Sequence, residues 1–147
     1  EFRMAGPVGI SPEAQASLSA SVQLTGPIPR SEMRAQFEWA DVFLLPSLCE
    51  GSATAVYEAL AAGLPVICTE NTGSVVRHGV DGYIVPIRDV SETAAILRGF
   101  AGDPALLQRM SESARQRAAD FTVARYGERL VAALDAMRGD AIRGEAA

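Results

Sequence analysis

Apolar positions along the chain follow two rhythms. Short apolar runs recur at residues 2–5, 22–25, 42–45, 65–68 and 83–85, and each predicts a strand. Longer amphipathic segments separate them, and several carry helix-start signals. Ser11 stands before Pro12 and Glu13, a capping hydroxyl ahead of a proline in the first turn, and Ser31 offers a cap before Met33, Phe37 and Trp39. Another helix starts near Ser52 and stops at Gly63. Past Pro86 the strands end, and three helices follow over 91–100, 104–119 with Asp103 as cap, and 122–137. The last carries Val123, Leu130, Val131, Leu134 and Met137 at helical spacing.

Strands alternating with helices predict an α/β fold, a three-layer Rossmann-like arrangement with a parallel sheet and helices on both faces. No internal repeat, linker or change of composition divides the chain. One domain is therefore expected over 1–138, with a frayed tail over 139–147.

Composition narrows the partners. The 147 residues are 48% hydrophobic and 21% charged, ordinary for a soluble globular domain. Thirteen basic against eighteen acidic residues leave a formal charge of -5, which recommends neither a nucleic acid nor an anionic membrane as partner. All the basic residues are arginines. Cys49 and Cys68 lack metal-ligand spacing and His78 is the single histidine, so a zinc site has almost no ligands to draw on. Both cysteines are expected to be free, buried thiols. No run has the length of a membrane span, and the first residues lack the basic and apolar blocks of a secretion signal, so the expected location is the cytoplasm.

The chemistry concentrates between Leu44 and Ile67. An apolar strand ends at Pro46, a loop of small residues follows, and a helix begins. Such a unit places ligands at the carboxyl ends of strands. Gly51, Ser52, Ala53 and Thr54 let a ligand approach the first helical turn, whose unpaired N–H groups and positive dipole end suit a diphosphate. Two carboxylates bracket that turn. Glu58 lies one turn beyond Thr54, away from Val56 and Leu60, the better core candidates.

Glu50 and Glu58, with seven residues between them and followed by Ala59-Leu60-Ala61-Ala62-Gly63-Leu64-Pro65-Val66-Ile67, resemble the E-x7-E signature of family 4 retaining glycosyltransferases of the GT-B type. The similarity continues in Ala40-Asp41-Val42-Phe43-Leu44-Leu45-Pro46-Ser47 before the signature and Gly79-Val80-Asp81-Gly82-Tyr83-Ile84-Val85-Pro86 after it, covering residues 2–138. The resemblance implies the carboxyl-terminal, donor-binding half of a GT-B fold, truncated at its amino terminus. Glu50 would touch the donor sugar near the reacting centre; Gly51, Ser52, Ala53 and Thr54 would line sugar and diphosphate; Glu58 would hydrogen-bond the ribose. A helical rise of roughly 12 Å at most between the two glutamates is compatible with those roles.

It further implies a nucleotide-sugar substrate, no metal or other cofactor, and transfer of a hexosyl group with retention by same-face displacement. The amino-terminal acceptor-binding domain and an upstream arginine–lysine pair would lie outside this chain, leaving it inactive alone. The exposed last helix would then be free to form a homodimer.

The chain departs from the family pattern at several points. Ala53 stands where many members have a second glycine, and Thr72-Gly73-Ser74-Val75-Val76 where many have Gly-Gly-x-Pro-Glu, although Gly73 and Ser74 can still turn toward the donor. Arg30 is the only basic residue expected in a loop after an early strand. Each residue also has a plainer reading: solvated helix charges for the glutamates, a helix-entry turn for Gly51, helix caps for Ser52 and Thr54. Alternative functions are another GT-B enzyme, an epimerase or a phosphorylase, and a non-catalytic nucleotide-binding or interaction module. A nicotinamide-binding domain is disfavoured because no G-x-G-x-x-G follows the first strand.

Overall fold

The computed structural model describes residues 1–144, with side chains described through Arg138. Its amino-terminal unit, Glu1–Trp39, contains β1 (Arg3–Ala5), α1 (Pro12–Ser19), β2 (Gln23–Gly26) and α2 (Arg30–Trp39). The two strands pair in parallel, with Arg3 opposite Gln23. Ser11 caps α1 as its position suggests, its Oγ accepting the Ala14 N–H at 3.3 Å. Arg3 binds this unit together: Nε donates to Gln23 Oε1 at 3.1 Å, a terminal nitrogen to Gln36 Oε1 at 2.7 Å, and the guanidinium lies 3.7 Å from the Trp39 ring centre. The start of α2 differs from expectation. Arg30 is its first residue, not a loop residue, and Ser31 sits inside the first turn instead of capping it, because the Pro29 carbonyl already accepts the Glu32 N–H at 2.9 Å.

The second unit, Ala40–Ala147, contains β3 (Phe43–Leu45), α3 (Thr54–Ala62), β4 (Val66–Thr69), β5 (Gly82–Val85), α4 (Val90–Gly102), α5 (Pro104–Ala119) and α6 (Val123–Gly144). A 3-10 turn, Glu70–Thr72, follows β4. The three strands form a parallel sheet in the order β3-β4-β5. The parallel α/β architecture is therefore as expected, although the strands pair into two sheets instead of one.

Val66, Ile67 and Cys68 of β4 are fully buried and Thr69 almost so. Successive side chains of a strand point to opposite faces, so this burial requires cover on both sides of the sheet. Ile67 meets Val85, Phe100 and Met110 in one cluster, with Leu44, Tyr83 and Ile96 packed around it. Helix α3 buries Val56, Ala59 and Leu60 and packs against β3, β4 and α5, while α4 packs against β5 and α5. Gly63, at φ +82°, ends α3 in the left-handed conformation that suits glycine, sending the chain into β4.

Asp89 and Asp103 cap α4 and α5, each accepting an N–H three residues on at 2.9 Å. The apolar stripe of α6 stands in solvent, its side chains from 46% exposed at Leu130 to 88% at Val123. Of the tail expected over 139–147, the chain is helical as far as Gly144, and residues 145–147 lie outside the described residues. No helix among the described residues is long and apolar enough to cross a membrane.

Candidate functional site

Beyond the carboxyl end of β3, residues 46–53 turn from the sheet into α3. The segment after β4 stitches this loop in place. The Glu50 N–H donates to the Asn71 carbonyl at 2.9 Å, the Ala53 N–H to the Thr72 carbonyl at 3.3 Å, and Asn71 Nδ2 to the Leu48 carbonyl at 2.7 Å. Thr69 Oγ1 donates to the Ser47 carbonyl, and Thr72 Oγ1 reaches the Leu45 carbonyl at 3.4 Å. Gly73 brings the two loops closest. At φ +59°, with a Cβ excluded by the Gly51 carbonyl, it is a position for glycine alone.

The start of α3 departs from expectation in a way that bears on binding. Ala53, and neither Ser52 nor Thr54, is the N-cap, and no side chain caps the helix. Thr54 is its first residue and is exposed. Ser52 turns elsewhere: its Oγ lies 2.8 Å from Tyr57 Oη and donates to the Gly73 carbonyl at 3.4 Å. The first helical turn thus points its amides and positive dipole end toward the loop without a side-chain acceptor of its own.

Glu50 is exposed in the loop, where Ser47 Oγ donates to its Oε1 at 3.3 Å. Glu58 is half-buried on α3, while Val56 and Leu60 take the fully buried positions, as their spacing suggests. The structure therefore gathers Gly51, Ser52, Ala53 and Thr54 at one helix entrance, with Glu50 before it and Glu58 within the helix. Ala53 is 7% exposed, so its methyl group packs inward. The thiols differ from expectation: both are free, but Cys49 is exposed because it lies in this loop, and only Cys68 is buried. Burial pushes the Cys68 thiol above its ordinary pKa, partly offset by a hydrogen bond with Ser74.

Sequence reasoning passed over Tyr57 and the Arg77–Asp81 pair. Tyr57 presents its ring edge-on to Phe121, centroids 5.8 Å apart, while the guanidiniums of Arg117 and Arg129 lie 4.7 and 5.2 Å from that phenyl ring. Asp81 is fully buried. It receives Arg77 Nε at 2.9 Å, an Arg77 terminal nitrogen at 2.6 Å, the Arg77 N–H at 3.1 Å and Ser113 Oγ at 2.8 Å. His78, read as a loop residue, takes the Ile84 N–H on Nδ1 at 3.1 Å. Among the described residues no group of three or more His, Cys, Asp or Glu side chains could hold a metal ion.

Comparison with known proteins places the chain in a family. The profile of the family Glycosyl transferases group 1 matches residues 1–103 of the 147. The chain belongs to that family. It is 39% identical over 92 residues to the amylovoran biosynthesis glycosyltransferase AmsK of Erwinia amylovora, an alignment covering 57% of the chain and 23% of AmsK. It is 36% identical over 117 residues to the putative colanic acid biosynthesis glycosyltransferase WcaL of Salmonella typhimurium, covering 73% of the chain and 29% of WcaL. The chain thus spans about a quarter of the length of these curated relatives.

Among solved structures, Anabaena HepE in complex with UDP-glucose superimposes with a TM-score of 0.75 at 17% identity, covering 91% of this chain and 40% of HepE. WaaG, a glycosyltransferase involved in lipopolysaccharide biosynthesis, gives 0.69 at 22% identity, covering 82% and 34%. At these identities the likeness is one of fold: a parallel α/β arrangement that matches part of GT-B glycosyltransferases.

Proposed function

We propose that the chain binds the nucleotide-sugar donor of a retaining glycosyltransferase, and that transfer of a hexosyl group needs an acceptor-binding domain beyond these residues. One observation carries the reading: the start of α3 has no side-chain cap and lies between two carboxylates beyond the carboxyl end of β3. In this reading the first-turn amides, with Gly51, Ser52 and Thr54 around them, meet the diphosphate. Ala53, whose N–H is committed to Thr72 and whose methyl is buried, contributes shape instead of a hydrogen bond. Glu58 accepts hydrogen bonds from the ribose hydroxyls.

Glu50 stands beside the sugar, where its negative charge stabilises positive charge developing at the anomeric carbon. The bond from that carbon to the diphosphate oxygen breaks as the acceptor oxygen bonds on the same face. The acceptor's proton passes to the departing diphosphate oxygen. The helix amides answer the diphosphate charge, and no step is assigned to a metal. Two free thiols, one of them exposed, suit the reducing cytoplasm.

Titration calorimetry with nucleotide sugars that differ in base and sugar tests the donor site. The reading predicts measurable binding of at least one of them, weakened about tenfold or more by Glu58→Gln, which removes a charged hydrogen-bond acceptor. Binding that is indifferent to Glu58→Gln, or absent across the panel, would reject it.

A further inference from the structure

We propose that Tyr57 is a positioning residue for the loop that enters α3: its hydroxyl orients Ser52, and its ring is held from outside the loop by Phe121. This rests on the reading of that loop as the site of the donor diphosphate.

The hydrogen bonds have a direction. Ser52 Oγ carries one proton and lies 2.8 Å from Tyr57 Oη and 3.4 Å from the Gly73 carbonyl. A carbonyl only accepts, so with the Ser52 proton turned to Gly73 it is the Tyr57 hydroxyl that donates to Ser52. A relay results, running from the rigid helix through the loop to the neighbouring loop, and hydrogen bonds in such a series polarise one another.

The other end of Tyr57 is fixed independently. Its ring meets Phe121 edge-on at 5.8 Å, and the arginines near Phe121 are themselves tethered, Arg117 Nε to the Val75 carbonyl at 2.9 Å and an Arg129 terminal nitrogen to the Asp120 carbonyl at 2.8 Å. Ser52 lies between Gly51, whose carbonyl closes on Gly73, and Ala53, whose N–H is held by Thr72. Losing the relay frees the Ser52 side chain just before the uncapped helix start. The donor would meet amides that are less well placed.

The test uses the protein as its gene encodes it, in four variants: Tyr57→Phe, Ser52→Ala, the two combined, and Ser52→Thr, which keeps the hydroxyl. Donor KM, kcat and thermal midpoint are measured for each, with Glu58→Gln as the reference for the site. Tyr57→Phe and Ser52→Ala should each raise the donor KM about three- to tenfold, the effect of one lost hydrogen bond, with a smaller effect on kcat. The double variant should be no worse than the more impaired single one, since both break the same relay. Ser52→Thr should restore most of the affinity.

A donor KM within about twofold of wild type in Tyr57→Phe, while Glu58→Gln raises it, would overturn the proposal and leave the site standing. Indifference of the KM to both would overturn the site reading and the proposal with it. A lowered thermal midpoint in Tyr57→Phe with an unchanged KM would assign Tyr57 to stability alone, and that too overturns the proposal.

Discussion

Asp81 shows what a single buried charge demands. Burial alone would raise its pKa, yet the hydrogen bonds from the Arg77 side chain, Ser113 and the Arg77 backbone outweigh it and hold the carboxyl below its ordinary 3.8. Because the folded-state pKa is depressed, the stabilisation is fully present above the unfolded pKa and is lost as pH falls through the folded one. Asp81→Asn should therefore cost about 1.5 to 3 kcal/mol at neutral pH, the range for hydrogen bonds to a charged group. In urea titrations the gap between wild type and variant should narrow below pH 3.8. A gap independent of pH would mean that the charge contributes nothing. The network was not legible beforehand, because Ser113 lies 32 residues from Asp81 and only the packing of α5 brings it there. Cys49 was misjudged for a related reason: cysteines are usually buried, and a loop position overrides that preference.

At the scale of elements, spacing along α3 was enough to separate its buried positions, Val56 and Leu60, from Glu58, because helical periodicity is local. The helix entrance was harder. Ser52 and Thr54 have the chemistry of caps, but Ser52 finds Tyr57 and Gly73, so Ala53 takes the cap position. Ser31 was displaced in the same way by the Pro29 carbonyl. Gly73 ties the two loops together, and Gly73→Ala forces an L-residue into the left-handed region against the Gly51 carbonyl. The conformation alone should lower stability by about 1 to 2 kcal/mol. Displacing the loop should weaken nucleotide-sugar binding as well. Unfolding curves and calorimetry on this variant check both effects, and unchanged donor affinity would separate the Gly73 contact from the site.

Over the whole molecule, strand and helix alternation predicted a parallel α/β fold, and the stretch around Glu50 and Glu58 pointed to a glycosyltransferase family, which is the level at which the profile match agrees. The division of the strands into two sheets was not legible, because pairing depends on partners distant in the chain, such as Arg3 and Gln23. The exposure of the α6 stripe follows the expectation drawn from the resemblance and not from spacing, since periodicity marks an apolar face without saying what covers it.

In the proposed function the two glutamates divide the work, Glu50 acting near the transition state and Glu58 holding the donor. Steady-state kinetics of Glu50→Gln and Glu58→Gln in the protein as its gene encodes it test this most directly. Glu50→Gln should lower kcat about 100-fold or more with little change in donor KM, as loss of a preorganised electrostatic group does. Glu58→Gln should instead raise donor KM about tenfold and largely spare kcat. Unimpaired transfer in both variants, or the two patterns exchanged, would contradict it.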